Sequence, residues 1–177
     1  MTKTIFASIH QIDVRTFTWC MGRKRRERIT WLSRHLSRTA DGPMYLVAAL
    51  VLYFFYDGFT TAWANAMLLA IAVERVLYLI IKKGFKRNRP QEALVDFRSF
   101  IRPSDQFSFP SGHTSCAFLF ATFMATLFPQ FTVVWFIWAS SIAFSRVFLG
   151  VHFPTDTMVG AVMGSATAWW TIGMMGL

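Results

Sequence analysis

TAWANAMLLAIAVERVLYLII, residues 61–81, decides the fold. A helix needs about 20 mostly apolar residues to cross the hydrocarbon of a bilayer. This stretch has that length, and its only charges are the adjacent Glu74 and Arg75. Working outward, residues 112–128, 131–150 and 156–177 read as spans of the same kind. Residues 43–56 (PMYLVAALVLYFFY) are short, and become adequate when the span runs on to Phe59. Asp57-Gly58 and Pro129-Gln130 read as tight turns between consecutive spans. Residues 4–20 mix Ile5, Phe6, Ile9, Ile12 and Phe17 with charged residues, as an interfacial amphipathic helix does, with a poor sixth span as the alternative. Residues 22–40 read as a basic helix lying on a surface. The expected fold is all-α, an integral membrane bundle of five to six transmembrane helices. Residues 1–41 form its N-terminal amphipathic and basic interfacial helices. Residues 42–177 form the transmembrane domain, with a site loop at 82–111.

Composition agrees with the bilayer as solvent. Of 177 residues, 54% are hydrophobic and 17% aromatic, with a mean hydropathy of +0.40, too apolar for an ordinary soluble domain of this size. The net charge is +9. The aromatics lie in the apolar runs rather than among the basic residues, so anionic lipid or a phosphorylated substrate is the expected partner and nucleic acid is not. Cys20 and Cys116 are far apart and make neither a disulfide framework nor a metal set. The opening MTKTIFASIHQIDVR does not read as a signal peptide, because His10, Asp13 and Arg15 interrupt its apolar residues. Gly160, Gly164 and Ala168 form a small-residue stripe suited to close helix packing.

Five alternating spans bring three separated polar clusters to one face: Lys82 to Arg89, Ser111 to His113, and Arg146 to Asp156. Lys82, Arg89 and Arg146 are cations. Ser111 and Gly112 open a helix, where unpaired backbone N–H groups and the helix dipole favour an anion. Arg146 can fork two hydrogen bonds onto phosphate oxygens. Such a set suits a phosphoryl group whose charge is spread over its equatorial oxygens, and the cations supply the charge a metal would otherwise bring. No metal or other cofactor is expected. His152 and Asp156 stand four apart, so the carboxylate can fix the imidazole tautomer and leave the other nitrogen free to attack. His113 is left to donate a proton to the leaving oxygen.

Lys82-x6-Arg89-Pro90, Pro110-Ser111-Gly112-His113 and Ser145-Arg146-x5-His152-x3-Asp156 together resemble the three-part signature of the type 2 phosphatidic acid phosphatase superfamily. The resemblance covers residues 82–156. It implies His152 as the nucleophile forming a phospho-histidine, Asp156 as its orienting carboxylate and His113 as general acid. It implies Lys82, Arg89, Ser111, Gly112 and Arg146 as the phosphate cradle. The expected activity is hydrolysis of a phosphomonoester or diphosphate of a membrane lipid. Candidate substrates are phosphatidic acid, phosphatidylglycerophosphate and undecaprenyl diphosphate. The alternatives are a lipid phosphotransferase using the same intermediate and a non-catalytic membrane scaffold.

Other residues have blander readings. Lys83, Lys86 and Arg87 read as snorkelling anchors, Cys116 as small core filler, and His10 and His35 as residues without partners. Glu74 and Arg75 inside the span are costly unless paired, and Glu74, Tyr78 and Lys82 share one helical stripe, so Glu74 either makes a purely structural ion pair or, with Tyr78, positions a site cation. A multi-pass protein of a bacterial inner membrane is the expected setting. The sidedness signals conflict. The Lys/Arg bias puts the site face in the cytoplasm, whereas the resemblance implies the periplasmic face.

Overall fold

Proline and glycine mark most of the helix boundaries. A computed structural model of the chain describes residues 2–22, 26–55 and 58–177, and every regular element among them is helical. The helices are α1 (Thr2–Met21), α2 (Arg26–Arg38), α3 (Gly42–Phe55), α4 (Gly58–Phe85), the single turn α5 (Pro90–Ala93), α6 (Gly112–Leu127), α7 (Thr132–Phe148) and α8 (Pro154–Met174). Pro90 and Pro154 each occupy the first helical turn, where a missing N–H has no intrahelical partner to lose. Pro129 starts a 3-10 turn that carries α6 into α7. Asp57 of the expected first turn, and Arg23, Lys24 and Arg25 of the basic segment, lie outside the described residues; Gly58 is already the first residue of α4.

Helix α6 is the central element, packed by α8, α7 and α4. The small-residue stripe explains how closely α8 approaches. A Cβ on Gly160 would lie 2.6 Å from the Ser111 carbonyl oxygen, and one on Gly164 would lie 2.0 Å from that of Ser115. Only glycine permits that contact. It is continued by a backbone bond from Ser111 N–H to the Asp156 carbonyl at 3.0 Å, which joins the starts of the two helices. Below this junction Met67, Leu119, Phe123, Ala168 and Ile172 form one buried cluster, and Tyr45, Ala117, Ala139 and Ile142 another. Helix α1 is tied in at the junction end itself, where Phe17 packs against Val147 and Phe153.

The outer faces stay apolar. Ile80, Val133, Ile137, Phe144, Val162 and Trp169 are all exposed, an arrangement a water-facing surface does not favour. Two stretches are long and apolar enough to cross a membrane, Thr61–Ala93 and Pro129–Phe148, while Gly42–Val51 and Gly112–Leu127 are shorter apolar helices. The difference from five uniform spans has a physical origin. Helix α6 has 16 residues, about 24 Å at 1.5 Å per residue, less than the roughly 30 Å of a hydrocarbon core. Helix α8 carries Thr157, Ser165, Thr167 and Thr171, which dilute its hydropathy.

Candidate active site

Three chain segments meet at one end of α6. Lys82 is in the last turn of α4 and Arg89 immediately precedes α5. Gly112 and His113 open α6, Arg146 is in the last turn of α7, and His152 and Asp156 flank the start of α8. The structure therefore brings all eight catalytic and phosphate-binding candidates into one neighbourhood. Lys82, Arg89, Ser111, Arg146, His152 and Asp156 are buried. Burying three cations this closely is costly unless an anion joins them.

One anion already present is Asp105 from the site loop. Its carboxylate pairs with Lys82 Nζ at 2.8 Å and with the Arg89 guanidinium, and it accepts the Tyr78 hydroxyl. Tyr78 in turn accepts a hydrogen bond from Lys82 at 2.6 Å. Burial alone would raise the Asp105 carboxyl, but the hydrogen bonds from Lys82 and Tyr78, with the Lys82 and Arg89 charges, override it and hold the group at about 2. Arg89 is fixed further by the Asp105 carbonyl at 3.0 Å and the Val151 carbonyl at 2.6 Å. Arg146 donates to Ser37 of α2 at 2.6 Å, and its Nε has no partner among the described residues.

The other wall is the histidine pair. His152 precedes α8 rather than standing in it, so its Nδ1 reaches Asp156 Oδ2 only at 3.7 Å. Asp156 sits at the third position of the helix and accepts the Phe153 N–H at 2.8 Å. Burial pushes the His152 imidazole down to about 3, with the nearby Asp156 carboxylate opposing it, a direction that favours the neutral ring and its lone pair. His113 Nε2 lies 3.3 Å from Asp41 Oδ1, at the junction of α2 and α3. A cavity of about 440 Å³ opens between them; Gly112, His113, His152 and Asp105 line its polar end, and Leu46, Leu68 and Ile71 its apolar side.

Some placements differ from the sequence reading. Ser111 caps α6, and its N–H is taken by Asp156, so the first-turn amides are those of Gly112 and His113. Glu74 does not reach Lys82. Its Oε2 holds the guanidinium of Arg75 at 3.0 Å, and Arg75 also contacts Cys116 Sγ at 3.2 Å, so Cys116 is more than filler. Tyr78, by contrast, touches Lys82 directly. Arg87 is not a snorkelling anchor. It bonds Asp156 Oδ1 at 2.7 Å and Asp13 Oδ2 at 2.6 Å. His10, read as partnerless, has Nδ1 3.4 Å from Arg87 Nη2. Asp13, Asp41 and Asp105 were missed as site residues; the signal available was an isolated carboxylate in an otherwise basic or apolar setting. Among the described residues no group of three or more His, Cys, Asp or Glu is placed to hold a metal ion.

Comparison with known proteins places the fold and the family. The crystal structure of Aquifex aeolicus LpxE superposes with a TM-score of 0.79 and 26% identity, covering 90% of this chain and 94% of that one. The lipid A 1-phosphatase of Rhizobium johnstonii is 29% identical over 116 residues, 63% of this chain and 46% of the relative. Phosphatidylglycerophosphatase B of Bacillus subtilis is 29% identical over 69% of this chain and 61% of its own length. The chain thus spans about half of the first of these curated relatives and three fifths of the other. The model of the PAP2 superfamily matches residues 63–176, and with all three motif segments inside that match the chain belongs to the PAP2 superfamily.

Proposed function

We propose that the protein is a membrane lipid phosphatase that hydrolyses a phosphomonoester or diphosphate through a phospho-histidine. The observation that carries this reading is a buried His152 facing Asp156, on one cavity with His113 and among three buried cations. The substrate phosphoryl group takes the anion position that the Asp105 carboxylate marks, between Lys82, Arg89, Arg146 and the first-turn amides of α6. His152 attacks phosphorus in line, the bond to the leaving oxygen breaks, and His113 delivers a proton to that oxygen. Water then attacks the phospho-histidine with His113 as base, releasing phosphate and free His152. Asp156 stabilises the positive charge on the substituted imidazole. Tyr78 holds Lys82 in place, and Glu74 acts further off, through Arg75 on the cavity wall.

The apolar side of the cavity fits a lipid tail approaching from the bilayer, with α3, α4, α6, α7 and α8 as the spans and α1 and α2 at the interface. A bacterial inner membrane is the proposed location. The named activities of the bacterial relatives, on lipid A and phosphatidylglycerophosphate, fit the phosphorylated-lipid class. The test is phosphate release by the detergent-solubilised chain from phosphatidic acid, phosphatidylglycerophosphate and undecaprenyl diphosphate in excess EDTA. Release from at least one is expected. No release from any, or loss on chelation that magnesium restores, overturns the reading.

A further inference from the structure

Asp13 belongs to α1, outside the stretch that matches the family model. Yet its side chain is 1% exposed and faces the start of α8. Its Oδ1 accepts the Thr155 N–H at 3.0 Å, and its other oxygen accepts the Thr155 hydroxyl. That same oxygen pairs with Arg87 Nη2 at 2.6 Å, while Arg87 Nη1 bonds Asp156 Oδ1 at 2.7 Å and the Thr155 hydroxyl oxygen at 2.8 Å. The guanidinium lies over the Phe153 ring, 4.6 Å from its centroid, so ring and carboxylates together fix its plane. Asp156 Oδ2 then faces His152 Nδ1. The result is a bonded chain from α1 to Asp156 through Arg87, with Asp156 Oδ2 left 3.7 Å from His152 Nδ1, within ion-pairing reach of the nucleophile.

We propose that Asp13 and Arg87 are positioning residues for the histidine nucleophile, so that α1 completes the active site; this rests on the phospho-histidine reading above. The reasoning is electrostatic. Asp156 is useful to His152 only while its negative charge is available to the imidazole as that ring gains a phosphoryl group and becomes cationic. An arginine bonded to Asp156 alone would cancel that charge in a site where water cannot screen it. Asp13 supplies a second carboxylate, so two carboxylates share one guanidinium and the cluster stays net negative toward His152. Arg87 meanwhile fixes the plane of the Asp156 carboxylate, as partners behind a catalytic ligand commonly do. Neither Asp13 nor Arg87 lines the cavity that holds His113 and His152, so substrate binding should not depend on them.

The experiment compares Asp13→Asn, Arg87→Met and the double variant with wild type. kcat and KM are measured on one phosphorylated lipid, each normalised to the monodisperse fraction in detergent. Each single variant is expected to lose roughly 10–100-fold in kcat, the range for such supporting partners, with KM changed less than twofold. The double variant should be no worse than Asp13→Asn, because removing Arg87 frees the charge of Asp156 that Asp13 was protecting. Arg87→Lys should recover only part of kcat, since an ammonium cannot fork between two carboxylates. If α1 merely anchors the fold, the yield of monodisperse protein and the melting temperature fall while kcat per folded molecule stays at the wild-type value. That outcome overturns the proposal. So does a change confined to KM, or single losses that multiply in the double variant. Absence of turnover in wild type itself would instead refute the phosphatase reading.

Discussion

Gly164→Ala tests how the fold sets the site. The added Cβ would sit 2.0 Å from the Ser115 carbonyl oxygen and 2.8 Å from its carbonyl carbon. An ordinary carbon–oxygen contact is about 3.3 Å, so α6 and α8 must separate by about an ångström. No rotamer relieves the overlap, because both atoms are backbone. Overpacking of this kind costs about 1–3 kcal/mol, and a backbone partner places it at the upper end. For a chain of this size that lowers the melting temperature by roughly 5–10 °C. The separation also reaches the site, since the same helix pair is joined by the bond from Ser111 N–H to the Asp156 carbonyl at 3.0 Å. A displacement of about 1 Å between reacting groups costs on the order of 10²-fold in rate. The assay is thermal melting in detergent alongside kcat, with Gly173→Ala as control, since a Cβ there meets nothing within 4 Å. Gly164→Ala melting within a degree of wild type, with unchanged kcat, would refute the claim that this glycine contact positions the two motifs.

Three further outcomes are expected. His113→Ala should lose about 10²–10⁴-fold on a lipid substrate, as loss of a proton donor does, and should be partly rescued by an aryl phosphate such as p-nitrophenyl phosphate, whose leaving group departs unprotonated; His152→Ala should stay inactive with both, and equal rescue of the two would show the roles reversed. Asp105→Asn removes the carboxylate that competes for Lys82 and Arg89, so KM and the inhibition constant of vanadate should fall several-fold; a rise in both would make Asp105 an organiser of the cradle. Because the Asp105 carboxyl is held at about 2, below its unfolded value of about 3.9, its contribution to stability is present above pH 4 and is lost as pH falls toward 2; melting of Asp105→Asn should therefore be the less acid-sensitive over that window.

Much of the site is legible in the sequence because each motif is short. Pro110 to His113 lies within one helix start and His152 to Asp156 within another, so local spacing alone sets which groups are neighbours. The crossing of apolar segments then brings the starts together, and hydropathy is enough to infer that. What spacing cannot reveal is a partner held by tertiary packing. Arg87 and Asp13 are separated by 74 residues, and Thr155 and Asp13 by 142. Read locally, Arg87 is one cation in a basic run and Asp13 an interruption in an amphipathic helix. Asp105 is hidden for another reason. The loop from 94 to 111 has no regular secondary structure, so no periodicity says which of its side chains turns inward. The small-residue stripe of α8 was legible as a packing device, but its precise consequence, that two glycines set the distance between two motifs, needed the position of the Ser111 and Ser115 carbonyls.

The most direct test of the central claim is the location of the phosphoryl group during turnover. Wild-type protein is mixed with a phosphorylated lipid, quenched with alkali within milliseconds, and digested for mass spectrometry. Phosphate is expected on the peptide containing His152, stable to alkali and released by acid, as a phosphoramidate should be, and absent from His152→Ala. Phosphate on a serine or a carboxylate, or undiminished turnover by His152→Ala, would contradict the account.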